Sequence, residues 1–297
     1  MSQTRLAAFS GGVASLQRAL GSRHPRSTAV IAHSPPITAH LGQPGKLCVQ
    51  PSKPPGAPRS LSAWACRPGR SIVAAMSSLS YPKPTVFEAK GEHKATVIIL
   101  HGLGDTAAGW ASMGRQFAMP GTKFIFPTAP MRPITLNMGM VMTGWYDITS
   151  LDKINAQEDV EGIKESWRYV EGLIQAEEEK GIPTDKIVVA GFSQGGVVAM
   201  MGARSSKKLA GIVGMSTYMP LREEEPVLSA ENMSTPILMC HGERDMVVAY
   251  EYGKGTAEKL KQLGADVTFT SYAYMGHEAC LEELEEVKGF LSKVTGN

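Results

Sequence analysis

Short apolar runs alternate along this chain with longer stretches in which apolar residues recur at helical spacing. The runs at 95–100, 124–126 and 187–189 are largely β-branched or aromatic and those at 209–216 and 235–240 are largely apolar, as buried strands are, and 267–272 reads as the last strand. The helical period fills 106–118, 156–180, the stretch following Ser193, 250–263 and 279–294. Thr106 is a candidate cap for the first helix, and Gly181-Ile182-Pro183 a clean stop for the second. Strands alternating with helices in this way predict the α/β class: a mostly parallel central sheet with helices on both faces. No internal repeat is visible, and no apolar run reaches the length of a bilayer span.

One stretch escapes both periods. Residues 131–155 are irregular and rich in methionine (131, 138, 140, 142), with Leu136 and Trp145. An irregular segment this long inside a compact body is usually functional. Flexible methionines suit an adaptable apolar lid or acyl groove. A loop folded onto the core fits the same residues.

Charge divides the chain in two. Residues 1–85 hold ten Lys or Arg and no acid, the first being Glu88. Removing those ten from the total of 30 leaves 20 basic against 28 acidic residues in 86–297, a net of −8. An acidic body has no nucleic-acid footprint. The leader, residues 1–80, is rich in Ser, Pro, Arg and Ala, a composition that cannot build a core. It matches a transit peptide: Leu6, Phe9, Val13, Leu16 and Leu20 fall at helical spacing, and Ile72-Val73-Ala74-Ala75 resembles a plastid processing site. A working leader sends the protein to a plastid or mitochondrion; a start at Met76 leaves it cytoplasmic. Residues 81–297 are then the single catalytic domain. Four cysteines in a chain of 297 residues make no disulfide framework, and Cys240 and Cys280 are expected in the core. Nothing has metal-ligand spacing, and no metal or organic cofactor is expected.

The chemistry centres on Gly191-Phe192-Ser193-Gln194-Gly195, a G-x-S-x-G pattern between a strand and a helix. That context describes a nucleophile elbow. The serine backbone is strained, its Oγ is held out at the sheet edge, and the N–H groups opening the helix point at the same spot. A serine hydroxyl needs a base, and the base needs an orienting carboxylate. In the strand–elbow–helix arrangement the partners follow in the order acid, then histidine. Only His241 and His277 follow Ser193. His277 lies just past the last strand, where a loop opens on the elbow's edge; His241 is fused to a strand end. Asp245 follows the 235–240 strand directly, with Glu243 the alternative, whereas Asp266 precedes its strand and belongs to the opposite edge. The oxyanion donors are the backbone N–H of Gln194 and, by loop position in His101-Gly102-Leu103-Gly104-Asp105, of Leu103.

These segments resemble the acyl-protein thioesterase / lysophospholipase–carboxylesterase family of small α/β-hydrolases. The likeness is carried in order by HGLGD (101–105), TAPMRPITLNMGM (128–140), GWYDI (144–148), GFSQGG (191–196), PILMCHG (236–242) and GHE (276–278). It covers the body and none of the leader. The family's triad maps onto Ser193, Asp245 and His277, its oxyanion donors onto Leu103 and Gln194, and its lid onto the methionine-rich stretch with Trp145. Met138, Met142, Trp145 and Met219 are the substrate-binding candidates. The resemblance implies an α/β-hydrolase fold and hydrolysis of long-chain acyl thioesters on S-palmitoylated proteins. It also implies side activity on lysophospholipids and simple esters. Partners would be S-acylated proteins or lipid esters, with peripheral membrane contact and no nucleic acid. A carboxylesterase or lysophospholipase is the alternative in the same reaction class; a non-catalytic ligand receptor on the same fold is the alternative outside it.

Overall fold

A computed structural model describes residues 79–151 and 158–297. Nearly all of the leader expectation (1–80) therefore lies outside the described residues. Seven strands form one sheet: β1 (Thr85–Phe87), β2 (Lys90–Leu100), β3 (Pro120–Phe126), β6 (Ile187–Phe192), β7 (Gly211–Met215), β8 (Ile237–Gly242) and β9 (Val267–Tyr272). Their spatial order is β1-β3-β2-β6-β7-β8-β9, and every pairing is parallel except β1 on β3. The expected mostly parallel sheet is thus present, with one short antiparallel edge strand that the apolar runs did not announce.

Helices cover both faces because strand residues alternate between them. Val97, Ile99, Val188 and Ala190 pack toward helices α1 (Ala107–Gln116) and α5 (Leu281–Thr295). Ile98, Leu100, Ile187 and Val189 face α2 (Val160–Glu178), α3 (Ser193–Met200) and α4 (Tyr250–Gln262). Each fully buried Ile, Leu or Val here contributes roughly 1.5–3 kcal/mol of transfer free energy. One buried charge is densely paired. Buried Glu177 of α2 takes Lys123 Nζ at 2.8 Å, Lys180 Nζ at 2.7 Å and Thr96 Oγ1 at 3.0 Å. No helix among the described residues is long and apolar enough to cross a membrane.

Three local expectations are corrected. Residues 131–155 are not wholly irregular: Met131–Ile134 (β4) and Met140–Thr143 (β5) form an antiparallel hairpin. Its alternation was masked by Pro133 and by methionines on the exposed positions. Arg132 and Ile134 point inward; Met131, Met140 and Val141 stay exposed. Thr106 stands at the N-cap of α1 without a side-chain cap bond. The Ala107 N–H instead donates to Thr128 Oγ1 at 3.0 Å. Cys240 is buried as expected, but Cys280 is only half-buried and caps α5, its Sγ accepting the Glu283 N–H at 3.4 Å.

The C-terminal ends of the parallel strands lie level. Leu100 pairs with Gly191, Phe192 with Met215, Met215 with Cys240, and Gly242 with Tyr272. The turns leaving β2, β6, β8 and β9 therefore open on one edge, the place where sheets of this kind hold their ligands.

Glu283, in the first turn of α5, stands apart energetically. It is 0% exposed, and neither carboxyl oxygen has a hydrogen-bond partner. Burial, with the carboxylates of Glu286 and Asp245, pushes its pKa up to about 8. A folded value above the unfolded one means that the neutral acid favours the fold. That contribution is complete below the ordinary value and is lost as pH rises through about 8. Glu283→Gln keeps a neutral side chain of the same shape at every pH. Its melting temperature is expected to match the parent near pH 5 and to exceed it increasingly toward pH 9, by roughly 2–4 °C per kcal/mol for a domain of this size. A difference that does not vary with pH would show that Glu283 does not titrate in the fold.

Candidate active site

At the end of β6 the chain must turn from strand to helix within one residue. Ser193 takes that turn at φ 52°, in the left-handed region. Such a conformation costs an L-residue roughly 1–2 kcal/mol. Close packing around the turn holds it there. A Cβ on Gly195 would lie 2.4 Å from the carbonyl oxygen of His101, and one on Gly191 would lie 2.3 Å from that of Gly195. Any side chain at either position would push α3 off the sheet. Thr217 Oγ1 donates to the Ser193 carbonyl at 3.0 Å, a further tie from the turn after β7.

The loops after β8 and β9 bring the partners. His277 Nε2 lies 2.8 Å from Ser193 Oγ, and His277 Nδ1 lies 2.7 Å from Asp245 Oδ2. A carboxylate can only accept, so Nδ1 carries the proton and Nε2 is left to accept from the serine hydroxyl. The face of Phe192 supports the imidazole, with ring centroids 5.0 Å apart. Asp245 is buried, yet four donors surround it. The N–H groups of Val247 and Val248 reach Oδ1 at 2.9 Å each, while His277 and His241 share Oδ2, the latter at 3.4 Å. Burial works to raise the Asp245 pKa, but hydrogen bonds from His241, His277 and Val247 outweigh it and hold the carboxyl well below the usual range. The alternative acid, Glu243, is turned away and accepts from Ser271 Oγ at 2.7 Å.

His241 is the participant that chain order alone sets aside. It lies inside β8, fully buried, and its Nε2 faces two acceptors, the Val248 carbonyl at 2.9 Å and Asp245. That nitrogen therefore donates, and His241 backs the carboxylate without approaching Ser193. The spacing of four residues between His241 and Asp245 across a tight turn was the available signal.

The expected oxyanion donors, Leu103 and Gln194, lie on two segments. Gly102 lies against the elbow: a Cβ added to it would stand 3.5 Å from Ser193 Cβ. His101 stiffens that loop: its Nδ1–H donates to the Gly102 carbonyl at 2.6 Å, and its Nε2 accepts from the Ala129 N–H at 3.0 Å. Burial pushes the His101 pKa down, against smaller opposing effects of Gly102 and Asp105. Gln194 opens α3, where helix N–H groups are unsatisfied by the helix itself. Its side chain is occupied elsewhere: Oε1 accepts from the Trp145 N–H at 2.9 Å, and Nε2 donates to the Tyr146 carbonyl at 2.6 Å.

The substrate-binding candidates divide. Met138 is 94% exposed at the hairpin tip, and half-buried Met142 has its Sδ 3.8 Å from a Cβ position on Gly104 of the loop after β2. Trp145 and Met219 are core residues, 0% and 2% exposed, and neither offers surface to a ligand. The indole turns inward because its Nε1–H finds the His101 carbonyl at 2.8 Å. The Met219 N–H donates to Thr256 Oγ1 of α4 at 3.0 Å, which fixes that segment onto the helix. Among the described residues, no cluster of His, Cys, Asp or Glu is arranged to hold a metal ion.

Known proteins resemble this chain in sequence and in fold. The profile of the phospholipase/carboxylesterase family matches residues 81–295. Acyl-protein thioesterase 1 of Neurospora crassa is 46% identical over 230 residues, covering 73% of this chain and 94% of its own. Acyl-protein thioesterase 1 of Gibberella zeae is 46% identical over 222 residues, covering 71% and 94%. Among solved structures, Zea mays acyl-protein thioesterase 2 superposes with a TM-score of 0.65 at 33% identity, over 73% of this chain and 100% of that one. Arabidopsis thaliana SOBER1 does so at 0.64 and 28%, over 68% and 99%. A parallel sheet ending in a serine elbow, matched through nearly the whole body by sequence and by shape, places this chain in the phospholipase/carboxylesterase family of α/β-hydrolases.

Proposed function

We infer that this protein is a serine hydrolase that removes long-chain acyl groups from protein thiols, with Ser193 as nucleophile, His277 as base and Asp245 as its orienting acid. The observation that carries the reading is the continuous hydrogen-bonded path from Ser193 Oγ through His277 to Asp245 Oδ2. The acyl-thioester substrate class rests on the relatives named acyl-protein thioesterase.

The steps follow from the geometry. His277 Nε2 takes the hydroxyl proton as Oγ bonds to the acyl carbon. The oxyanion that forms is met by the backbone N–H groups of Gln194 and Leu103. One such donor is worth about 2.7–4 kcal/mol in the transition state. The C–S bond then breaks and the sulfur leaves with the proton from His277. A thiol, with an ordinary pKa of about 8.5, leaves more readily than an alcohol. Water next attacks the acyl-enzyme, gives its proton to Nε2, and releases the fatty acid as Oγ regains its hydrogen. Asp245, held ionised, stabilises the imidazolium in both halves.

The β4–β5 hairpin supports a lipid-bound substrate. Its exposed Met131, Met138, Met140 and Val141 form an apolar edge, and the Gly104 N–H of the oxyanion loop donates to the Thr143 carbonyl of β5 at 2.8 Å. In this reading the edge rests on a membrane surface, where an S-acylated protein presents its chain. Residues 1–75 serve targeting rather than turnover.

Ser193→Ala and His277→Ala are expected to lose nearly all kcat on a palmitoyl-thioester peptide while remaining folded. Asp245→Asn should lose about 10⁴-fold. An amide that turns its oxygen to Val247 and Val248 presents N–H to His277 and forces the wrong tautomer. Near-normal turnover in any of the three defeats the assignment. For the substrate class, kcat/KM should be higher on the palmitoyl-thioester peptide than on lysophospholipid or a short-chain ester; the reverse order makes the protein an esterase. Met138→Glu with Met140→Glu should depress cleavage of a vesicle-bound thioester and spare a water-soluble ester, and equal effects on both would remove the membrane role. A chain starting at Met76 should keep full turnover and lose organelle import; retained import, or a large drop in turnover, contradicts the division at the leader.

A further inference from the structure

The two oxyanion donors belong to different parts of the chain, and preorganised donors work only if their spacing is fixed before the reaction. The sheet aligns β2 with β6 as far as the Leu100–Gly191 pair. Leu103 and Gln194 both lie beyond that last rung, so the ladder does not set the gap between them. Trp145 spans it. Its side-chain Nε1–H donates to the His101 carbonyl at 2.8 Å, and its backbone N–H donates to Gln194 Oε1 at 2.9 Å. The Tyr146 carbonyl accepts a bond from Gln194 Nε2 at 2.6 Å, which closes a clamp on the amide. One fully buried residue thus holds both donor-bearing segments.

The indole is itself backed. Ser166 Oγ of α2 donates to the Trp145 carbonyl, and Tyr81 and Tyr169 stack against each other at 3.8 Å and against the indole at 6.4 Å. The His101 carbonyl that the indole grips is the same atom that lies 2.4 Å from a Cβ position on Gly195. A shift of that carbonyl therefore moves the loop and the elbow relative to each other.

We propose that Trp145 is a positioning residue that sets the separation of the Leu103 and Gln194 N–H groups by bridging His101 and Gln194. This rests on the serine-hydrolase reading and adds to it a residue that touches no substrate. A plain core tryptophan would matter to stability alone, so the test must read the oxyanion.

Trp145→Phe keeps an aromatic ring and deletes the Nε1–H. In the full chain, kcat on a p-nitrophenyl ester is expected to fall about tenfold or more, with KM within about twofold. The Ki of an alkyl trifluoromethyl ketone, which forms a tetrahedral oxyanion adduct on Ser193, should rise by a similar factor. A folded Trp145→Phe with parental kcat and ketone affinity overturns the proposal, as does a rise in KM alone. If Trp145→Phe does not fold, Ser166→Ala loosens the same residue from behind. It should lower kcat and ketone affinity together by about twofold or more, and parental values for both overturn the proposal. Ser193→Ala run alongside separates the two levels: its inactivity beside an unaffected Trp145→Phe removes the positioning role and keeps the hydrolase, whereas an active Ser193→Ala removes the hydrolase reading itself.

Discussion

Ser193 keeps its left-handed backbone only because nothing but hydrogen projects from residues 191 and 195. That absence lets carbonyls at the end of β2 approach the first turn of α3 more closely than any side chain would allow. Three consequences follow from the one contact. The hydroxyl is held at the sheet edge beside His277; α3 begins at the same point; and the His101–Gly102 turn is pressed against it. Backbone strain of about 1–2 kcal/mol is small beside the stability of a domain this size, so packing can sustain it.

The acid behind this turn is controlled by its surroundings. A buried carboxylate without partners would take up a proton and lose its hold on the imidazole. Asp245 avoids that through two backbone N–H groups and two histidines. Glu283 is the contrast within the same fold, a buried carboxyl without such a set of donors, and its pKa moves the other way. Burial raises both carboxyls and prevails at Glu283, whereas at Asp245 the hydrogen bonds from the histidines and Val247 outweigh it.

What the sequence made legible was whatever depends on local pattern and chain order. Five parallel strands were readable because both faces are covered, which makes each a short apolar run, and β9, at the half-exposed sheet edge, was readable from its β-branched and aromatic content. The meeting of Ser193, Asp245 and His277 was readable because each ends a strand or follows one, and the order of acid and base leaves few choices. The hairpin was hidden by Pro133 and by methionines in exposed positions. The inward turn of Trp145 was hidden for another reason. Its bonds to His101 and Gln194 join residues 44 and 49 positions apart, and no local pattern encodes such a pairing. Met219 was misplaced likewise: its backbone N–H is tied to Thr256, 37 positions on, a contact that no local pattern encodes.

The strand arrangement also governs how the protein acquires its activity. Ser193 and His277 are 84 residues apart, and Asp245 joins from 32 residues before the histidine. Each junction needs a parallel crossover to close, and such non-local pairing is entropically expensive and slow to form. The hydroxyl and the imidazole cannot meet until β7, β8 and β9 have all been laid down beside β6. In the proposed mechanism a nascent chain still lacking its last strand has no base for Ser193, so reactivity arrives as a late event of folding rather than growing by degrees.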